Sequence, residues 1–502
     1  MADHEREPVE RGESPAGLPA EPAPVVELVE APPVEPVEAP PVEPVEAPAD
    51  DPGSFEFPHA EVQVAQPTRP LTIAQFTDNY GPAHSGLLYA VQFLEREVLA
   101  AGHRVLLVAP EAKGPNPLAG DPHRREIRMP SVPIPGAGIR LSLGKDLEFR
   151  LAQLVADPPD IIHVHGLGGV GLLGMWVAQR AGRPLVVTWH TDLEAYAEHY
   201  WHLGPFLNAA YRLFAARAES KPWAKLRKLR VKRPRRGGAQ LELLQAASDM
   251  LSTADLVTTP SDKTGRRVLE LAPSAKVRVV PNGADPLAER KPIAKARGPR
   301  LLYVGRVSPE KGLDLLLDAF ELVRDFEPHA ELMIVGDYHE STPTLRRRMQ
   351  RAARHGGVRL IGRVPHDELA AYYGGADVFV FPSQTDTQAL VLHEAALCGL
   401  SLVIVDPELN LVVDPGVNAL VARPNMVSLS QAIMAMLRLL KDPAFAARAS
   451  ARSRELAGQW TIERQATEML GIYTDLMAGR PVELSDYLKP DLGRPRLGGR
   501  LH

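Results

Sequence analysis

From residue 71 onward, short apolar runs alternate with amphipathic stretches long enough to be helices, and the alternation comes in two series with a break between them. The first series holds LTIAQF (71–76), a helix over Gly86–Ala101, RVLLVAP (104–110), DIIHVH (160–165) and PLVVTWH (184–190). After VRVVPNG (277–283) a second series begins with RLLYVGRV (300–307) and a helix to about Arg324. It continues through AELMIVGD (330–337), a helix near 343–354, VRLIGRV (358–364), a helix over 366–374, ADVFVFPS (376–383), a further helix and SLVIVD (401–406). Runs this short and this continuously apolar fit strands covered on both faces, the situation of a parallel sheet. Parallel neighbours need a crossover, usually a helix. The two series therefore predict an α/β chain with two facing, doubly wound parallel sheets, each a Rossmann-like domain. Pro281–Pro299, rich in Pro, Gly and charge, reads as the join. Open α/β sheets bind ligands beyond the carboxyl ends of their strands, so the cleft between the domains is the expected site.

The rest of the 502 residues divides by composition. Residues 1–66 carry three copies of an octapeptide, VELVEAPP, VEPVEAPP and VEPVEAPA (Val26–Ala49), and hold 16 acids against two basic residues. With so little apolar bulk this segment reads as a disordered tail, either a solubilising spacer or a shield for basic residues elsewhere. The net charge is −5, so the remainder carries +9, as many charges as the nine basic residues of KPWAKLRKLRVKRPRR (221–236). That run lies in an apolar and basic insertion, 202–245, within the first domain (70–285). The second domain is expected over 298–457, followed by a helix at 458–480 and a flexible tail at 481–502. One cysteine, Cys398, excludes an intramolecular disulfide and points to a reducing compartment. The acidic start MADHEREPVERGE is no signal peptide, and no stretch reaches the roughly 20 apolar residues that span a bilayer. A cytoplasmic chain is expected, with contact to the inner face of the membrane left open.

Several residues near predicted strand ends could carry chemistry. Gly86 opens a helix after the first strand, where free N–H groups make an anion site or simply allow close packing. GRVSPEKG (305–312) places Arg306 and Lys311 on one strand-to-helix loop; together they suit a diphosphate, and singly each would read as a solvated surface residue. His190 closes a strand and could contact a polyhydroxyl ligand or be structural. In FPSQTDTQALVLHEAALCGL (381–400), Asp386 precedes a helix starting near Gln388, and Glu394 sits two turns in on an apolar line. Such a Glu is costly unless paired, and sugar or ribose hydroxyls are natural partners. A helix cap with a half-exposed Glu is the plain alternative.

TDNYGPAHSGL, HTDLEAYAEHY, GRVSPEKGLDLLLDAF, GRVPHDELAAYY and FPSQTDTQALVLHEA, in that order, resemble the retaining glycosyltransferases of family 4, whose fold is the two-domain GT-B. The resemblance spans about 70–480 and includes lipid and envelope enzymes such as diacylglycerol glucosyltransferases and lipid-carrier mannosyltransferases. It implies a nucleotide-diphosphate sugar donor, a hydroxyl acceptor, no metal and no cofactor. On matching positions it implies that Arg306 and Lys311 neutralise the leaving diphosphate, that Gly86 lies near the phosphates, and that His190 lies near the sugar's 6-hydroxyl. Asp386 and Glu394 fall on the family's Glu-x7-Glu pair, for sugar and ribose, and the backbone N–H groups of Gln388, Ala389 and Leu390 face sugar and phosphate. The helix 462–477 resembles the one that crosses back to the first domain. Two positions depart: the family's first Glu is Asp386, and its following Gly is Ala389.

The basic run suggests the acceptor's setting. Trp223, Lys225, Arg227, Lys228 and Arg230 combine an aromatic with cations, which fits an anionic membrane surface and a lipid or lipid-linked acceptor, with a merely solvated basic loop as the plain alternative. Nothing in the chain points to base readout, so no nucleic-acid partner is expected. A nucleotide-sugar epimerase on the same fold and a degenerate, non-catalytic membrane-associated protein remain as alternatives.

Overall fold

The computed structural model describes residues 69–78, 80, 86–111, 118–133, 140–142, 147–166, 168–190, 244, 247–294, 297–339 and 341–488. All of them belong to one compact unit, Val62–His502. The acidic repeat and the basic insertion, with Trp223, Lys225, Arg227, Lys228 and Arg230, lie outside the described residues.

The first sheet has seven parallel strands: β1 (Thr72–Phe76), β2 (Arg104–Pro110), β3 (Arg124–Met129), β6 (Ile161–Val164), β7 (Leu185–Thr188), β8 (Leu256–Thr259) and β9 (Val277–Val279). Their order is β3-β2-β1-β6-β7-β8-β9, with a small antiparallel pair, β4 (Ser131–Pro133) and β5 (Arg140–Ser142), outside it. The second sheet has six parallel strands: β10 (Arg300–Val304), β11 (Glu331–Val335), β12 (Val358–Gly362), β13 (Val378–Phe381), β14 (Ser401–Ile404) and β15 (Ala419–Val421). Its order is β12-β11-β10-β13-β14-β15. Each order reverses direction once, at β1/β6 in one sheet and at β10/β13 in the other. A crevice opens at such a switch point, because the loops leaving the two strands diverge to opposite faces.

The helices are α1 (Gly86–Ala100), α2 (Leu147–Ala156), α3 (Gly169–Ala181), α4 (Asp262–Leu271), α5 (Leu313–Phe326), α6 (Pro343–His355), α7 (Leu369–Tyr373), α8 (Leu390–Leu397), α9 (Met426–Leu439), α10 (Pro443–Gly458) and α11 (Ile462–Met477). α11 comes after the second sheet yet buries its apolar face in the first domain. Ala466, Met469, Ile472 and Tyr473 share a core with Ile73, Leu94, Val98 and Val186.

Three elements differ from the sequence reading. β3, RREIRM, has no apolar run to mark it, since it is an edge strand held by charge pairing. β8, LVTT, is short and its threonines are buried, so it lacks the usual strand signature. Residues 481–488 are docked rather than a flexible tail: Leu488 enters the first domain's core and Ser485 Oγ accepts from Val279 N at 3.0 Å.

Candidate active site

The two loops at the β10/β13 switch point carry the predicted acids and bases, and the fold sets them against each other. Gly305 follows β10, and a single 3-10 turn at Pro309–Lys311 leads to Gly312 at φ 70. A side chain at 312 would also meet the Pro382 carbonyl, since a Cβ there would lie 2.6 Å from that oxygen. Glycine thus lets the first loop press against the second. Thr385 Oγ1 then donates to the Glu310 carbonyl at 3.2 Å, tying the loops together.

Lys311 Nζ lies 2.6 Å from Asp386 Oδ1, in a pair whose side chains are only 11% and 17% exposed. Burial works against a charge on Asp386, but Lys311 outweighs it and holds the carboxyl below its ordinary range. The other oxygen, Oδ2, makes no well-formed hydrogen bond, although the Ser383 hydroxyl also helps to hold the carboxyl in its charged form. Arg306 is half-exposed, 3.3 Å from Glu310, and its charge also acts on Asp386. Two cations and an acceptor with a free lone pair therefore share one corner of the crevice.

The second loop ends at Ala389, with φ 63 and ψ 74, the one non-glycine residue in the left-handed region among the described residues. The helix consequently starts at Leu390, not at Gln388. A left-handed backbone costs an L-residue roughly 1–2 kcal/mol. Ala389→Gly removes that cost and adds about 0.4–1 kcal/mol of unfolded-state entropy. The variant should therefore be neutral to about 1 kcal/mol more stable in urea unfolding, where Ala→Gly inside a helix normally costs about 0.5–1 kcal/mol. A clear loss of stability would contradict the strained reading of this position.

Gln388 is turned inward. Its Oε1 accepts from Asn282 N at 2.8 Å and its Nε2 donates to the Asn282 carbonyl at 2.7 Å. The side chain thus fastens the loop to the interdomain join, while the backbone of 388–390 forms the helix mouth. Gly86 begins α1 opposite this mouth, with the Leu390 side chain 4.0 Å from where its Cβ would be. The N-termini of α1 and α8 therefore meet across the crevice, and each favours negative charge.

Glu394 is buried on α8, and both of its oxygens are engaged. His366 Nε2 lies 3.0 Å from Oε1 and the Tyr373 hydroxyl donates to Oε2 at 2.8 Å. That leaves about two of the carboxylate's four lone-pair positions for a ligand. Burial opposes a proton on His366, yet Glu394 prevails and raises the histidine's pKa. The Tyr89 ring of α1 packs at 4.7 Å on His366, so the first domain contributes to this corner too.

His190 follows β7 and abuts the second loop, its carbonyl accepting from Thr387 Oγ1 at 3.2 Å. Its Nε2 is 3.3 Å from His165 Nδ1, and burial lowers its pKa to about 3. His190 is thus a neutral imidazole at ordinary pH, suited to hydrogen bonding with a hydroxyl and not to neutralising phosphate.

Sequence reasoning missed a set of first-domain residues at the crevice. Lys263, in the first turn of α4, is 4% exposed and reaches the Gln384 and Asp386 carbonyls, each at 2.9 Å, and Asp406 Oδ2 at 2.5 Å. Ser261 Oγ and Thr264 Oγ1 both donate to the Thr387 carbonyl. The signal was available in SDKT: a lysine in a helix's first turn opposes the dipole and needs a partner.

Comparison with known proteins adds to this geometry. A family model described as "Glycosyltransferase Family 4" matches residues 86–286, and one described as "Glycosyl transferases group 1" matches 298–442. The chain is 26% identical over 351 residues to alpha-monoglucosyldiacylglycerol synthase from Streptococcus pneumoniae, covering 66% of this chain and 70% of the relative. It is 24% identical over 417 residues to the GDP-mannose-dependent alpha-mannosyltransferase of Corynebacterium glutamicum, covering 82% and 90%. Among solved structures, sucrose-phosphate synthase from Thermosynechococcus elongatus superposes with a TM-score of 0.60 at 22% identity, covering 82% of this chain and all (100%) of that one.

Proposed function

The chain belongs to glycosyltransferase family 4 and has the GT-B fold, and from that premise we propose that it moves a hexose from a nucleotide-diphosphate sugar to a hydroxyl of a membrane lipid or lipid-linked glycan, with retention at the anomeric carbon. The observation that carries this reading is the pairing of Lys311 with Asp386 at the switch point, beside Arg306 and the two facing helix N-termini. The donor's diphosphate takes Lys311 and Arg306, and a sugar hydroxyl takes the vacant Oδ2 of Asp386. Glu394 accepts ribose hydroxyls on its remaining lone pairs, and His190 bonds the sugar as a neutral imidazole. The two acids, Asp386 and Glu394, thereby grip two parts of one long donor.

In the reaction the bond from the anomeric carbon to the diphosphate oxygen breaks as the bond to the acceptor oxygen forms on the same face. The departing phosphate oxygen takes the acceptor's proton. Negative charge develops on the leaving group, where Arg306, Lys311 and the N-termini of α1 and α8 lie preorganised. Seating the domains together keeps water from the donor.

The relatives' names, one a monoglucosyldiacylglycerol synthase and one a GDP-mannose-dependent mannosyltransferase, support a donor of the glucose or mannose type and a lipid-side acceptor. The run at 221–236 supports an anionic surface, which attracts basic residues at about 1 kcal/mol each near the lipid. Among the described residues no helix is long and apolar enough to cross a membrane. The basic run supports peripheral attachment at the inner face of the membrane as part of this reading. The test is proton NMR of the product formed from an α-linked donor on lipid vesicles. An α-glycolipid is expected; an epimerised nucleotide sugar, with no glycoside formed, would replace this reading by the epimerase one.

A further inference from the structure

The contacts around Lys263 point to a role beyond joining two domains. Its ammonium has three N–H donors, and three acceptors surround it: the carbonyls of Gln384 and Asp386 and the Asp406 carboxylate. All three belong to the second domain, whereas α4 packs against β8 and β9 of the first sheet. The lysine is 4% exposed and Asp406 is 6% exposed, so this is a buried charge pair, not a surface one. Beside it, Ser261 and Thr264 hold the next carbonyl, that of Thr387. Asn282 holds Gln388 from the join. The carbonyls of Gln384, Asp386 and Thr387 are thus fixed by side chains of the other domain.

Within the second domain the loop is held at side chains, by Thr385 on the Glu310 carbonyl and by Lys311 on Asp386, whereas its backbone carbonyls at 384, 386 and 387 are held from the first domain. Asp386 is in the middle of the loop, and the left-handed Ala389 closes it. We propose that Lys263 is a positioning residue: it sets the donor loop from across the crevice, so that Asp386 and the α8 mouth reach productive geometry only when the first domain is seated. The inference rests on the donor-site reading given above. It couples productive geometry at the sugar end of the donor, where Asp386 lies, to domain seating, through a cation that itself need touch no part of the donor.

The consequence is separable from stability. Lys263→Met alone leaves Asp406 buried without its cation, and this variant can fail to fold. Lys263→Met combined with Asp406→Asn removes both charges. The amide oxygen of the substituted side chain can still accept from Glu408 N, as Asp406 Oδ1 does at 3.0 Å. The double variant is expected to regain most of the wild-type melting temperature but not the bonds to the loop carbonyls. Misplacement of reacting groups by about 1 Å can cost up to about 100-fold in rate. Nucleoside-diphosphate release from UDP-glucose or GDP-mannose on membrane-lipid vesicles should fall by about 10- to 100-fold in the double variant. Its affinity for UDP or GDP alone, which depends chiefly on Arg306, Lys311 and Glu394, should stay within about threefold of wild type, a split that general unfolding would not produce. Wild-type turnover in the folded double variant would overturn the proposal. So would a loss of turnover matched by an equal loss of nucleotide affinity. A wild type that neither binds these nucleotides nor turns over either donor would instead remove the donor-site reading, and the role of Lys263 with it.

Discussion

Lys311→Ala is expected to lower donor turnover by about 100- to 1000-fold, the range seen when one preorganised group is taken from a developing oxyanion. The size of the effect follows from placement. Lys311 ends a one-turn helix forced against Pro382 by the glycine at 312, so its ammonium is held in a largely buried corner with little freedom. Charges in such a corner are screened less than at a surface. Lys311→Arg keeps the charge but not the compact ammonium, and should fall between alanine and wild type. Single-turnover measurements on the donor separate the chemical step from release. The same variant carries a second, independent signature. Lys311 holds the Asp386 carboxyl below its ordinary range, so the pair stabilises the fold above the unfolded carboxylate pKa of about 3.9. That contribution is lost as pH falls through the depressed folded value. The stability gap between wild type and Lys311→Ala should therefore narrow under acid conditions; a gap that widened would mean that Asp386 is not charged beside Lys311.

The largest effect on stability is expected from Glu95→Ala, at about 3–5 kcal/mol. Glu95 on α1 and Arg124 on β3 are 0% and 2% exposed at the side chain, with Arg124 Nε donating to Glu95 Oε1 at 2.5 Å. The Tyr80 hydroxyl donates to the other carboxylate oxygen at 2.6 Å. Arg124 also pairs with Glu126, which in turn meets Arg128. Alanine at 95 leaves a buried guanidinium with one acid instead of two and orphans the tyrosine. Urea unfolding measures the loss. Replacing both Glu95 and Arg124 by apolar residues of similar volume should recover most of it, because the cost lies in the unpaired charge. A single variant no less stable than the double would show that the pair does not couple. Tyr80 belongs to the segment between β1 and α1, so loosening this network should also be felt near Gly86.

The double alternation of apolar runs was enough to identify two parallel sheets, because strands buried on both faces admit almost no polar residue. Where the chain departs from that rule, the pattern was silent. β3 is an edge strand whose arginines and glutamates pair with each other, and β8 buries threonines within a hydroxyl network that includes Thr188 and Thr258 at 2.6 Å. Val482, Leu484 and Leu488 are scattered among prolines and charges near the end of the chain, with a spacing that no helix or strand period registers. The site divides along similar lines. The sequence placed Arg306, Lys311 and Asp386 on loops after strands and Glu394 on an apolar helix line, and in the structure Lys311 meets Asp386 while Glu394 is buried between His366 and Tyr373. The conformation of Ala389 and the inward turn of Gln388 were not legible, since both depend on how the loop meets Asn282. Lys263 carried one signal, a cation in a helix's first turn, but with Asp, Arg and Glu along the same helix it reads as solvated until the other domain is in place.

The most direct measurement is nucleoside-diphosphate release from UDP-glucose, UDP-galactose, UDP-N-acetylglucosamine and GDP-mannose, each with and without anionic vesicles containing diacylglycerol or extracted membrane lipid. Release from one donor, stimulated by lipid and lowered about 100- to 1000-fold in Lys311→Ala, is the expected result. A folded protein that releases no nucleotide from any donor and binds neither UDP nor GDP would contradict the assignment of the crevice as a donor site.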